Sequence, residues 1–368
     1  MKKVFTQTLI AAAIAVGSAS VTTASADTEM VIVSWGGAYT ASQQKAYHDP
    51  YMAANPGIKI INDDSSSEGA AKIRAQAEAG NTTWDVVDIL PGDAIALCDE
   101  GLIEEINPAT DLAAAPDGTS AADDFGDSLV SPCFVPQIVY STTLGYRTDK
   151  VGASAPSTIN DLFDLGKFPG KRALEKKPAA NMEWALIADG VDPAKVYDTL
   201  STPEGVDRAF AKLDTIKDQV VWWTKGAQPG QLLADGEVVM ASAYNGRLFA
   251  AIEENKQPIG MLWDYQVFEL DGWAIPKGAP HKAEAMKYLK YATDTQRLAD
   301  QAKYISYGPA RKSSAGMVGM HAELGIDMAP HMPTAPANAK NVILKDVLWW
   351  ADNKDELTER FEAWLAKS

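Results

Sequence analysis

Val31-Ile32-Val33-Ser34-Trp35-Gly36-Gly37-Ala38-Tyr39 is a short apolar run that feeds directly into a glycine turn carrying two aromatic residues. The run has the length and β-branched content of a buried strand. The chain then repeats the unit. A helix-like stretch from Ala41 to Met52 ends at Asn55-Pro56-Gly57, and Ile58–Ile61 is the next strand. Ser67 opens a second helix with Ala70, Ile73 and Ala77 on its apolar face. Gly80 stops it, and Val86–Leu90 is a third strand followed by Pro91-Gly92-Asp93. This alternation predicts an α/β fold whose parallel sheet is covered by helices on both faces. Ligands of such sheets sit beyond the carboxyl ends of the strands. Here those ends carry Trp35 to Tyr39, Asp64 to Glu68, and Gly92-Asp93.

Ahead of that stretch, residues 1–26 have the makeup of a secretory signal peptide. Lys2 and Lys3 start it, Leu9 to Val16 form its apolar run, and Ala24-Ser25-Ala26 gives the cleavage pattern. The run is too short to span a bilayer, and no Cys follows it for lipid attachment. The mature chain is therefore expected to begin near Asp27 and to work in the periplasm. At about 340 residues it has room for two domains. Without Lys2 and Lys3 it holds 31 basic against 49 acidic side chains, a formal charge of −18. That balance argues against nucleic acid or anionic lipid as partner. Cys98 and Cys133 are the only two cysteines. In an oxidising compartment they are expected to pair, the alternative being two buried thiols. A bridge would close a loop of roughly 36 residues and stabilise by about 3–4 kcal/mol in the chain-entropy description.

A second unit begins near the middle. Ile138–Ser141 is strand-like, Thr142 to Ala155 reads as a loop-rich connection, and Pro156-Ser157-Thr158 opens a helix through Leu162. Val220–Trp223, Val238–Ala241, Ile259–Trp263 and Trp273–Ile275 are further strand candidates. Lys282 to Ala302 reads as one long helix, and Trp349 to Ala366 as an amphipathic helix packed on its own domain.

Residues suited to catalysis are scarce. His48, His281, His321 and His331 show no metal-ligand spacing with Cys, Asp or Glu. There is no Gly-x-Ser-x-Gly elbow and no phosphate-cradling loop. The expectation is a protein that is not an enzyme and holds neither cofactor nor metal. Aromatic residues beside polar ones recur instead at the expected strand ends: Trp35 and Tyr39, Tyr244-Asn245-Gly246-Arg247, Asp271-Gly272-Trp273, and Tyr304 to Tyr307. Aromatic faces hold alkyl chains and attract ammonium groups by about 0.5–2 kcal/mol. A carboxylate fixes an ammonium by a charge-assisted bond, and the planar fork of Arg fixes a carboxylate. Trp222, Trp223 and Trp263 read as core packing, and Arg247 has a surface ion pair as its alternative.

These residues carry a resemblance. Ser34-Trp35-Gly36-Gly37, Trp84-Asp85-Val86-Val87-Asp88, Ala243-Tyr244-Asn245-Gly246, Leu270-Asp271-Gly272-Trp273-Ala274-Ile275-Pro276 and Tyr307-Gly308-Pro309 match the spermidine/putrescine-binding family. These are family 1 periplasmic solute-binding proteins of ABC importers, a subgroup that takes polyamines and ω-amino acids. The chain resembles that family over most of its mature length. The resemblance implies a two-lobed α/β fold (type II) with the ligand in the cleft between lobes, each a sheet flanked by helices, and capture by hinge closure. Residues 27–139 plus 271–312 would form the N-lobe, and 140–270 plus 313–368 the C-lobe. It implies an ABC permease of the inner membrane as partner, and a monomer.

By position, Trp35, Tyr39, Tyr244 and Tyr307 look like the aromatic contacts, and Asp271 like the carboxylate that holds the amine. Gly92, Asp93, Glu269 and Trp273 complete the expected ligand-binding set with Arg247. The chain departs from the polyamine pattern where a second acidic pair would stand, because Lys176-Lys177-Pro178-Ala179-Ala180-Asn181 occupies that segment. One Asp with one Arg or Lys suits an ω-amino acid such as γ-aminobutyrate. Putrescine and spermidine stay open through Glu269. A secreted enzyme on the same scaffold and a metal- or iron-binding relative are the competing readings.

Overall fold

The computed structural model describes residues 28–152 and 154–367. The expected signal peptide, residues 1–26, lies outside the described residues. Among the described residues there are ten strands: β1 (Thr28–Val33), β2 (Ile58–Asp63), β3 (Val86–Ile89), β4 (Val135–Arg147), β5 (Arg172–Glu175), β6 (Val220–Trp223), β7 (Met240–Tyr244), β8 (Ile259–Ala274), β9 (Gly308–Pro309) and β10 (Val342–Leu344). They hydrogen-bond in the order β2-β1-β3-β8-β4-β7-β5-β6, with β10 on β8 and β9 on β4.

The apolar runs of β1 and β3 fit a sheet buried on both faces. Strands β1, β2 and β3 are parallel, and the end of β8 closes this flank antiparallel to β3, Val87 facing Ala274. On the other flank β5, β6 and β7 are parallel, and β7 runs antiparallel to β4 from Thr142↔Tyr244 to Tyr146↔Met240. Strands β4 and β8 belong to both flanks and carry the chain between two lobes. Their pairing slips where they cross: Thr142 faces Val267, but Leu144 faces Leu262. The intervening residues of β8 bulge, with Tyr265 at φ 51°, and β10 pairs with Gln266–Phe268 just beyond.

Each lobe has its own core. One gathers Met30, Ile32, Tyr47, Val86, Phe125, Trp273 and Tyr288. The other gathers Leu174, Met182, Trp184, Phe210, Phe361 and Trp364. The last two lie on the helix Val347–Leu365, which buries Trp350, Leu357, Phe361 and Trp364. The Cys98–Cys133 disulfide is formed. It ties the helix Pro91–Asp99 to the lead-in of β4.

Three expectations need correction. Thr142 to Arg147 is not loop but the second half of β4. Its hydroxyls are buried and satisfied, Thr142 Oγ1 donating to Glu269 and Thr143 Oγ1 to the Leu262 carbonyl. Residues that favour turns when exposed are thus held in a central strand by cross-strand partners. Ile259–Trp263 and the Trp273-Ala274 part of the expected Trp273–Ile275 strand belong to one 16-residue strand that ends at Ala274, because the bulge bends β8 without ending it. The stretch Lys282 to Ala302 is two helices, Lys282–Ala292 and Thr295–Gln301. Asp294 breaks it by accepting the Arg297 N–H at 2.8 Å as an N-cap.

Candidate functional site

Asp271 lies on β8 just past the crossing, opposite Ile138 of β4. It is 2% exposed. The Trp35 indole N–H is 3.1 Å from both of its oxygens, and the Tyr39 hydroxyl is 2.5 Å from Oδ2. The two aromatics reach it because the chain leaves β1 through Gly36 (φ 75°) and Gly37 (φ 59°) and turns at once into helix. Only glycine adopts two such conformations in succession at low cost. A Cβ on Gly37 would also stand 2.9 Å from Arg247 Nη1.

Arg247 comes from the helix Asn245–Phe249, which follows β7 in the other lobe. Its Nη2 donates to the Trp35 carbonyl at 3.5 Å, and its charge acts on the Tyr307 hydroxyl. The motif around it has a mechanical reading. Asn245 is fully buried and accepts from the Ser141 N–H at 3.0 Å while donating to the Ser306 carbonyl at 2.5 Å. It therefore pins the helix to β4 and to the Tyr307 loop. A Cβ on Gly246 would lie 2.5 Å from the Tyr307 ring, so glycine there makes room for that wall.

The aromatic wall is continuous. Ring centroids are 5.8 Å apart for Tyr39 and Tyr307, 6.0 Å for Tyr307 and Tyr140, and 5.4 Å for Tyr140 and Tyr244. Beyond it, the Tyr244 hydroxyl donates to Glu175 at 2.8 Å. Lys177 pairs with Glu175 at 2.8 Å and lies 5.6 Å over the Tyr244 ring. Glu269 pairs with Lys345 and accepts from Thr142.

Charge at the site is finely set. Burial raises Asp271 to about 7, against the pull of the Tyr39 and Trp35 bonds. Burial also pushes on Glu269, but Lys345 and Lys177 beside it win and bring it down to about 2. Burial works against charge on Lys177, yet Glu175 leads the groups that hold it firmly protonated. Tyr307 is pushed up to about 12 by burial, with Arg247 opposing.

Six expected residues therefore converge: Trp35, Tyr39, Tyr244, Arg247, Asp271 and Tyr307. Gly92 and Asp93 lie elsewhere, in a pocket of about 120 Å³ between the helices Pro91–Asp99 and Val347–Leu365. Glu269, Lys177 and Lys345 also line it, and Asp93 pairs there with Lys354. Glu269 as an amine ligand needs correction, because its charge already belongs to two lysines. Trp273 also needs correction. It is fully buried in the core between Tyr47 and Tyr288, at centroid distances of 5.5 and 6.0 Å. Asp271 and Trp273 are two apart on β8 and share its face, but Asp271 meets Trp35 and Tyr39 whereas Trp273, farther along, is packed into the core. A Cβ on Gly272 would stand 2.3 Å from the Val135 carbonyl. Tyr140 and Glu175 were missed. Glu175 ends a strand and was open to the carboxyl-end rule, whereas Tyr140 was hidden in a strand read as ending one residue later. Among the described residues no group of three or more His, Cys, Asp or Glu is placed to hold a metal ion.

Residues 46–334 match the family described as bacterial extracellular solute-binding protein. A Pseudomonas aeruginosa PAO1 protein named gamma-aminobutyric acid-binding protein is 37% identical over 344 residues, covering 92% of this chain and 91% of its own. The solved binding protein MotA of A. tumefaciens B6, in complex with glucopine, is similar at TM-score 0.81 and 31% identity, covering 92% of this chain and 100% of that one. A structure titled Atu4243-GABA receptor is similar at TM-score 0.76 and 33% identity, covering 93% and 98%.

Proposed function

The chain belongs to the bacterial extracellular solute-binding proteins, and from that premise we propose that it is the periplasmic capture component of an ABC importer for a small ω-amino acid such as γ-aminobutyrate. The ammonium pairs with Asp271 and the carboxylate with Arg247. Trp35, Tyr39, Tyr140, Tyr244 and Tyr307 take the methylene chain out of water. The observation that carries this reading is the pairing of opposite charges across the lobes on one residue. Trp35 donates its indole N–H to Asp271 and offers its carbonyl to Arg247.

Charge balance separates this ligand from a polyamine. The carboxylates Asp271, Glu269 and Glu175 are matched by the cations Arg247, Lys177 and Lys345. A zwitterion adds no net charge to a low-dielectric site, whereas a diamine would bring two cations with no free carboxylate for the second. The names of the Pseudomonas aeruginosa relative and of the GABA receptor support the same ligand class. That the chain's family and relatives are solute-binding proteins supports a protein that binds rather than transforms. Closure of the lobes over the ligand presents both of them to the permease, and the protein acts as a monomer.

A thermal-shift screen with γ-aminobutyrate, putrescine, spermidine, betaines and aminophosphonates tests the proposal. A ligand that binds only the folded, closed form raises the melting temperature by mass action. γ-Aminobutyrate should give the largest rise. A larger rise with putrescine would reverse the ligand assignment, and no rise with any amine would remove it.

A further inference from the structure

Behind Asp271 lies a buried chain of hydrogen bonds whose directions can be fixed one by one. Ser42 Oγ donates to the Tyr39 carbonyl at 2.7 Å, an atom that can only accept. Ser42 must therefore accept from Gln301, whose Nε2 lies 3.1 Å away. That orients the Gln301 amide, so its Oε1 receives the Gln137 Nε2 at 3.1 Å and the Tyr47 hydroxyl at 2.8 Å. Gln137 is oriented in turn. Its Oε1 points at the Tyr39 hydroxyl, 2.7 Å away, and receives Gln43 Nε2 at 3.3 Å. Flipping the amides together fails at Ser42, which would then face two acceptors with one proton.

Tyr39 thus stands between two oxygens, Gln137 Oε1 at 2.7 Å and Asp271 Oδ2 at 2.5 Å. It owns one proton. Both contacts are of hydrogen-bond length, so one of them needs a proton from the other side. Gln137 Oε1 has none to give, which leaves Asp271. We infer that Asp271 carries a proton in this arrangement, that an arriving ammonium expels it, and that Gln137, locked by Gln301 and Ser42, is the positioning residue that puts it there. The steps balance. Before capture the Asp271 O–H donates to Tyr39, and Tyr39 donates to Gln137. On capture the Asp271 proton passes to bulk buffer, the Tyr39 proton swings from Gln137 to Asp271, and the new carboxylate meets the ligand ammonium. Gln137 Oε1 keeps its bond from Gln43.

The surroundings agree. The groups that face Asp271 are Tyr39 and Trp35 from the turn after β1, Asp88 on β3, Tyr140 on β4, Glu269 on its own strand, Tyr307, and Arg247 behind Tyr307. Arg247 is the sole cation among them, and Lys177 and Lys345 are taken by Glu175 and Glu269. Asp88 is fully buried and touches Gln43 rather than Tyr39; burial holds its own carboxyl well above the usual range. The same burial raises Asp271 to about 7.

This inference rests on the amine reading of the site, and one titration separates the two. γ-Aminobutyrate is titrated calorimetrically into the protein in Tris and in phosphate, at pH 6 and pH 8; the ligand's own groups do not change charge between them. Release of about one proton per ligand at pH 6, little at pH 8, and an affinity about tenfold higher at pH 8 are expected for a carboxyl near 7. The Gln137→Met variant, which keeps the volume but removes the acceptor, should release less than half as much at pH 6. Ser42→Ala, which frees the amides to flip, should act in the same direction. Binding at pH 6 without proton release in the wild type overturns the inference and leaves the amine reading intact. Release unchanged in both variants removes the role of Gln137. Failure of γ-aminobutyrate and putrescine to bind at all overturns both.

Discussion

In the proposed site Asp271 is the residue on which recognition would turn, and its burial sets what replacing it should do. Asp271→Asn keeps the shape but removes the charge that the ammonium needs. Loss of a desolvated charge partner costs about 2–5 kcal/mol, so γ-aminobutyrate affinity should fall at least tenfold by calorimetry. Lys177 offers the complementary test. In Lys177→Met the site loses one cation while Glu175 and Glu269 remain, so competition binding should show the preference moving from γ-aminobutyrate toward putrescine. An unchanged ratio would break the charge-balance argument. A stability prediction follows from Asp271 alone. Its folded-state carboxyl is raised to about 7, so the folded chain holds that proton more tightly than the unfolded chain does. Stability from this group is present at low pH and lost as pH rises from about 4 through 7. Asp271→Asn should therefore remove a falling component from the pH dependence of the free protein's melting temperature between about pH 4 and 7.

At the scale of elements, the crossing of β4 and β8 makes the site, and it is also where sequence reading failed most. Period and punctuation found β1, β2, β3 and β6 close to their observed bounds, because apolar runs there end at glycine, proline or polar turns. The crossing strands carry polar residues in mid-sheet, Thr142 and Thr143, whose hydroxyls find partners more than 100 residues away, and the Ser141 backbone N–H does the same. No local pattern reports such pairing. Trp35 and Asp271 each stand beside a glycine, which marks them in the sequence as candidates, and Tyr39 follows in the same turn, while Tyr140 has no such marker. Trp273 misled because it shares a motif with Asp271 but faces the core. The motif glycines are testable at this scale. Gly246→Ala would force the Tyr307 ring aside, so it should weaken ligand binding severalfold, with overpacking costing about 1–3 kcal/mol of stability by denaturant melts.

The whole molecule is two cores joined by two strands, with Asp271 supported by one lobe and Arg247 by the other. Rim contacts between the lobes, such as the Asp93–Lys354 pair, are half-exposed and worth roughly 0–1 kcal/mol. Lys354→Ala should therefore change affinity little, and less still at high salt. The disulfide acts within one lobe, so Cys98→Ala with Cys133→Ala should lower stability by about 3–4 kcal/mol with modest effect on affinity. The most direct test of the central claim is a crystal structure of the protein grown with γ-aminobutyrate. The account predicts closed lobes, the ligand nitrogen about 2.8 Å from an Asp271 oxygen and the ligand carboxylate on Arg247. A ligand seated instead in the pocket of Gly92 and Asp93, or an Asp271 turned toward solvent, would contradict it.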